Sequence, residues 1–156
     1  MSKAELYQDL LGQLRALLDG ERDLLANAAN SAAFLYYSLP ELNWAGFYFL
    51  RGKELVLGPF QGKCACTRIA MGKGVCGQAA LARKALVVAN VHEFPGHIAC
   101  DVASNSEIVV PLVKAGRLLG VLDLDSSRVG RFNEVDQAGL ESLAAVFLAS
   151  TDIDLA

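Results

Sequence analysis

Apolar residues in the first forty positions recur at helical spacing. Leu6, Leu10, Leu14, Leu17 and Leu18 form one stripe of a helix over residues 3–19, which Asp19-Gly20 ends. A second helix is predicted from Glu21 to Leu39, on Leu24, Leu25, Ala28, Ala32 and Leu35, and Pro40 stops it. The period then changes to alternation. Asn43 to Leu50 reads as a strand, with Trp44, Tyr48 and Leu50 on one face and Ala45, Phe47 and Phe49 on the other. Arg51-Gly52-Lys53 is a turn, and Glu54 to Phe60 returns as the second strand of a hairpin. Gln61 to Arg68 is a polar loop. Gly72-Lys73-Gly74 introduces a short helix, Val75 to Arg83, and Ala85 to Ala89 is a short buried strand. Asn90 to Asn105 has no period, and a loop of that length inside a domain usually carries function. Ser106 to Lys114 and Arg117 to Asp125 are strands joined at Ala115-Gly116. After a loop over Ser126 to Arg131, Asn133 can cap a last helix reaching about Ala149. Phe132 is its candidate staple, Asp136 lies in its first turn, and Val135, Leu140, Leu143, Ala144 and Phe147 are its stripe.

This order, α-α-β-β-α-β-β-β-α, predicts an α+β fold: a central antiparallel sheet with the N- and C-terminal helices on one face. The other face is left to loops, which is where a pocket should form. Residues 1–156 read as a single domain, with residues 1–40 as N-terminal helices packed on the sheet. Hydrophobic residues make up 53% of the chain, too many for disorder. The net charge of −3 and the lack of a basic run argue against nucleic acid or an anionic membrane surface as partner. No apolar run reaches the roughly 18 residues of a membrane span, and the N-terminus lacks a signal-peptide core, so a cytoplasmic location is expected. Leucine stripes on the terminal helices leave room for a homodimer.

Four cysteines, Cys64, Cys66, Cys76 and Cys100, cluster in the middle of the chain. In a reducing compartment they can be metal ligands, redox groups or small buried hydrophobes. Cys64-Ala-Cys66 and His97-x-x-Cys100 do not match the paired spacing of structural zinc sites, so no metal is expected.

The blocks Gly58-Pro-Phe-Gln-Gly62, Gly72-Lys-Gly-Val-Cys-Gly77, Val91-His-Glu-Phe-Pro-Gly-His-Ile-Ala-Cys-Asp101, Ser106-Glu-Ile-Val-Val-Pro111 and Gly120-Val-Leu-Asp-Leu-Asp-Ser126 resemble the free methionine-R-sulfoxide reductases, enzymes built on a GAF domain. The resemblance covers nearly the whole chain. It implies reduction of free methionine-R-sulfoxide with no bound cofactor and with thioredoxin, and NADPH behind it, as reductant. It implies Cys100 as nucleophile and Cys66 or Cys76 as resolving thiol. Cys64 lies outside the family's trio.

The chemistry fits the residue types. A sulfoxide needs a soft nucleophile at sulfur and an acid at oxygen, and a thiolate with neighbouring carboxyl groups supplies both. Alternation puts Asp123 and Asp125 on one strand face, with Leu122 and Leu124 on the other. The acidic face is either an edge in water or a pocket floor. By resemblance Glu107 and Asp125 serve the sulfoxide, and Asp123 is assigned to the substrate ammonium. Trp44 and Tyr48 are either ordinary core or the wall for the substrate's methyl group, and the resemblance favours the wall. Cys76 at a helix start is expected to have a lowered pKa. His92 and His97 are left out of the catalytic set.

Register provides a test. A regular ladder from Ala115-Gly116 sets Glu107 opposite Leu124, away from both aspartates. Either a one-residue bulge or a three-residue loop restores Glu107 to their face, and such an irregularity is expected near Pro111. The competing readings are a non-catalytic GAF module that binds a small ligand and a redox sensor that uses a cysteine pair without turnover.

Overall fold

The computed structural model describes residues 1–98, 100 and 102–153. Ala99 and Asp101 of the Pro-Gly-His-Ile-Ala-Cys-Asp motif lie outside these. The N-terminal leucine stripe forms helix α1 (Lys3–Leu18), capped by Ser2, whose hydroxyl accepts the Glu5 amide. Helix α2 (Leu24–Ser38) starts three residues later than its sequence pattern suggests. The Asp23 carboxylate accepts the Ala26 amide and so fixes the N-cap there, leaving Glu21 and Arg22 in the connection. Strands β1 (Trp44–Arg51) and β2 (Glu54–Gly62) form the expected hairpin. A third strand, β3 (Arg68–Ala70), pairs with the start of β2, at the end of the predicted Gln61 to Arg68 loop, where the sequence predicts no strand. Helix α3 (Gly74–Ala82), strand β4 (Leu86–Val88), a 3-10 turn (Val91–Glu93), strands β5 (Ser106–Lys114) and β6 (Arg117–Ser126) and helix α4 (Glu134–Ser150) complete the chain.

The sheet order is β3-β2-β1-β6-β5-β4, with every neighbouring pair antiparallel. Its two faces carry separate cores. Helices α2 and α4 cover one face, burying Ala45, Phe47 and Phe49 of β1 with Leu122 and Leu124 of β6, and α1 packs on α4 rather than directly on the sheet as the sequence suggests. The opposite face buries Trp44, Tyr48, Val109 and Val121 beneath α3 and the connecting loops. That face is therefore not left to loops alone: α3 roofs part of it. No helix among the described residues is long and apolar enough to cross a membrane.

The α1–α4 contact is pinned by a buried carboxylate. Asp136 accepts Lys3 Nζ at 2.7 Å, Tyr7 OH at 2.7 Å, Arg131 Nη1 at 3.2 Å and the Asn133 amide at 2.9 Å. The Asn133 side chain in turn accepts the Val135 and Asp136 amides, completing a capping box. Burial raises the Asp136 pKa. The bonds from Lys3, Tyr7 and Asn133 and the Arg131 charge outweigh that, and the net value lies below the ordinary carboxylate range.

The β5–β6 ladder contains the irregularity the site needs. Lys114 faces Arg117 and Val113 faces Leu118, but Leu112 faces Gly120, so Leu119 is the extra residue of a bulge. From there the register runs Pro111 to Val121 and Glu107 to Asp125. Gly120 is required at the bulge, because a Cβ there would collide with the Tyr48 carbonyl oxygen of β1.

Candidate active site

The bulge converts two strand sequences into one acidic floor. On β6, Asp123 and Asp125 point away from the helix-covered core that holds Leu122 and Leu124. Glu107 lies directly opposite Asp125 on β5, and on β1 Trp44 faces Asp125 while Gly46 faces Asp123. The three carboxyl groups line one pocket together with Trp44, Tyr48, Cys76 and Cys100.

Trp44 and Tyr48 form a wall with a second task. The indole stacks with Tyr48 at 5.9 Å and with Phe60 at 5.3 Å between centroids. It lies over Gly46, where a Cβ would come within 2.8 Å of Trp44 Cη2. Both polar tips hold the loop after β2: Trp44 Nε1 donates to the Lys63 carbonyl at 3.1 Å, and Tyr48 OH donates to the Cys66 carbonyl at 2.9 Å. The aromatic wall thus positions Cys66.

Cys66 and Cys100 are joined in a disulfide, with Cα atoms 5.4 Å apart. Each therefore takes up the sulfur that the Cys64–Cys66 or His97–Cys100 spacing offered to a metal. Cys64 is exposed and free. Cys76, in the first turn of α3, is free and buried, and its thiol donates to Glu107 Oε2 at 3.8 Å. Its environment reverses the expectation for a helix start. Burial pushes the Cys76 thiol well up, and Asp123, Glu107 and Asp125 push it further in the same direction. A helix dipole acts through partial charges and cannot offset three neighbouring acids and full burial.

The acids are unsettled in the same way. Burial raises the Glu107 pKa well above its ordinary value, and the Asp123 charge adds to the shift. Asp123 is likewise pushed up by burial and then by Asp125. Like charges on facing strands disfavour one another, so a proton retained in this cluster is the low-energy state. Asp123 Oδ1 is buried with no hydrogen-bond partner among the described residues. An orphaned carboxylate oxygen aimed into a pocket calls for a donor from a ligand.

Sequence reasoning sets His97 and Lys73 aside and misses Ser104; all three line the same pocket. The His97 ring lies 6.4 Å from that of His92, and burial followed by the His92 charge lowers its pKa, which keeps it neutral near pH 7. Ser104 accepts the Asn43 side-chain amide at 3.0 Å. Both His97 and Ser104 sit in the aperiodic segment, where spacing carries no signal. The donors Cys76 Sγ, Glu107 and Asp123 lie within 4.8 Å of one another, the only group able to hold a metal ion among the described residues. They come from three separate elements, α3, β5 and β6, so no local spacing announces them.

Comparison with known proteins gives the fold and the family. Residues 14–147 match the GAF domain family. The chain is 52% identical to the free methionine-R-sulfoxide reductase of Escherichia coli, over 97% of this chain and 94% of the relative. A protein from Burkholderia vietnamiensis described as a GAF sensor superposes with a TM-score of 0.94 at 60% identity, covering 97% of this chain and 96% of that one. The free methionine-R-sulfoxide reductase of Neisseria meningitidis, solved in complex with its substrate, superposes with a TM-score of 0.92 at 45% identity, covering 96% and 90%. The fold is a GAF domain, and the chain belongs to the GAF-domain family of free methionine-R-sulfoxide reductases.

Proposed function

We propose that this chain reduces free methionine-R-sulfoxide to methionine. The observation that carries the reading is the Cys66–Cys100 disulfide at the edge of a pocket floored by Glu107, Asp123 and Asp125. In the reduced protein the Cys100 thiolate attacks the sulfoxide sulfur. A protonated carboxyl group of the Glu107–Asp125 pair donates to the sulfoxide oxygen as the bond between the Cys100 and methionine sulfurs forms. The hydroxyl then moves from the methionine sulfur to the Cys100 sulfur, the S–O bond and the new S–S bond both break, and methionine leaves with Cys100 as a sulfenic acid. The Cys66 thiol then condenses with it, giving the disulfide and one water. An external dithiol, thioredoxin in this reading, attacks the disulfide and is itself oxidised, returning both thiols. A cytoplasmic setting, where thioredoxin is kept reduced, suits that cycle.

Asp123 supplies the selectivity for the free amino acid. Its orphaned oxygen accepts from the substrate ammonium, which a peptide-bound methionine sulfoxide lacks. The Trp44–Tyr48 wall takes the terminal methyl group. Preference for the R epimer rests on family membership.

The test couples the protein to thioredoxin, thioredoxin reductase and NADPH with each free sulfoxide epimer. Steady NADPH oxidation is expected with the R epimer alone and is abolished in Cys100→Ser. No turnover with either epimer returns the chain to the ligand-sensor reading that the Burkholderia relative's description suggests.

A further inference from the structure

We propose that Cys76, Glu107 and Asp123 form a binding site for one thiophilic divalent cation of the zinc class. Three observations carry the inference. The donor atoms lie within 4.8 Å of one another, and the pair Cys76 Sγ and Glu107 Oε2 is 3.8 Å apart. Two ligands on a tetrahedral zinc, one sulfur and one oxygen, lie about 3.6 Å apart on ordinary bond lengths. Asp123 is only 5% exposed, and its Oδ1 has no partner, so the triad holds a buried acceptor awaiting a cation or a donor. Finally, Cys76 is the one pocket thiol that the disulfide leaves unused.

The ligand set fixes the class of ion. A thiolate among the donors selects zinc or cadmium over magnesium or calcium, which prefer all-oxygen shells. Binding requires Cys76 to lose its proton, so one or more protons are released as the ion enters. Three anionic donors around a doubly charged ion reduce the charge of the triad from −3 to −1, and the fourth position is left for a water. The donors lie together with the Cys66–Cys100 disulfide intact, so the site belongs to the oxidised protein. Its consequence for turnover rests on the functional reading above: the ion takes the Asp123 oxygen needed by the substrate ammonium, so ion and substrate exclude one another.

The test uses the oxidised full chain carrying Cys64→Ser, so that Cys76 is its one thiol. Cadmium chloride is titrated in and the thiolate-to-cadmium charge-transfer band is followed in the ultraviolet. The expected result is a band that saturates at one equivalent per chain and resists excess magnesium. Asp123→Asn, which keeps the thiol, should weaken cadmium binding at least tenfold, and Cys76→Ala should remove the band. Absence of the band, or full affinity retained in Asp123→Asn, overturns the proposal. The readout needs no turnover, so its failure leaves the reductase reading intact, and failure of the coupled assay leaves the cation site intact.

Discussion

Two aspartates buried on opposite faces of the sheet behave in opposite ways. Asp136, on the helix-covered side, accepts from Lys3, Tyr7, Arg131 and the Asn133 amide, and its carboxyl group is held ionised. Asp123, on the pocket side, has other acids and a thiol for company, an orphaned oxygen and a pKa driven upward. Burial alone pushes both the same way; partners decide the outcome. Two cations reach the carboxylate on the helix side, whereas the groups that act on Asp123 are Asp125, Glu107 and Cys76.

The largest expected effect breaks the satisfied site. Asp136→Asn leaves Arg131, which is 4% exposed, beside a neutral amide. Removing one partner of a buried pair costs about 3–5 kcal/mol, a large part of the roughly 5–15 kcal/mol that holds a domain together. Urea unfolding should show that loss as a lower midpoint, while the folded fraction keeps its KM for the sulfoxide. The corresponding change on the other face, Asp123→Asn, should do the reverse. Stability is expected to hold or rise, because one of three crowded acids is gone. A hydrogen bond to a charged group is worth about 1.5–3 kcal/mol, so KM for methionine-R-sulfoxide should rise roughly 10–100-fold. Equal stability losses in the two variants would erase the contrast.

Acid titration separates the faces by sign. Asp136 has a depressed pKa, so its contribution is complete above the ordinary carboxylate value and disappears as the pH falls below it. Glu107 and Asp123 have raised values, so the folded state holds protons that the unfolded chain has released. Their effect is a loss of stability as the pH climbs from about 4 toward those raised values. The melting temperature should therefore pass through a maximum in mildly acid solution. Asp136→Asn should flatten the acid limb, and Glu107→Gln the other. A wild-type curve that rises steadily up to neutral pH would contradict the assignment for the pocket.

The same asymmetry explains what could be read from the chain before its structure. The helix face was legible because leucines at helical spacing and alternating β1 aromatics answer to one bulk property, burial. The acidic floor was half legible: Asp123 and Asp125 between leucines mark a strand face, and the need for a bulge or a longer loop followed once Glu107 was required beside them. The bulge itself falls at Leu119, just beyond Pro111, and no residue pattern fixes that position except a glycine whose neighbour leaves no room for a Cβ. Strand β3 offered three residues with only Ile69 buried, too short for any period to show. The Cys76 environment was illegible for a different reason. Its helix position was right, but its neighbours come from β5 and β6 and act through space. The choice of Cys66 as the partner of Cys100 likewise depends on the aromatic wall that holds the Cys66 carbonyl.

The smallest effect is also the most discriminating, because the chemical change is identical on both faces. Tyr7 and Tyr48 are each buried, and each donates one hydroxyl hydrogen bond. Tyr7 donates to the ionised Asp136, whereas Tyr48 donates to a backbone carbonyl, that of Cys66. Deleting the first removes a charge-assisted bond, and Tyr7→Phe should cost about 1.5–3 kcal/mol with turnover of the folded protein unchanged. Deleting the second removes a neutral bond, and Tyr48→Phe should cost about 1 kcal/mol or less. Its effect should appear in the cycle instead, since a loosened Cys66 loop slows condensation with the Cys100 sulfenic acid. Quenched-flow trapping of that acid with a dimedone-type reagent should find it longer-lived in Tyr48→Phe and unaltered in Tyr7→Phe. If the two variants prolong it equally, the aromatic wall has no special hold on the resolving thiol, and the division of labour between the faces reduces to packing.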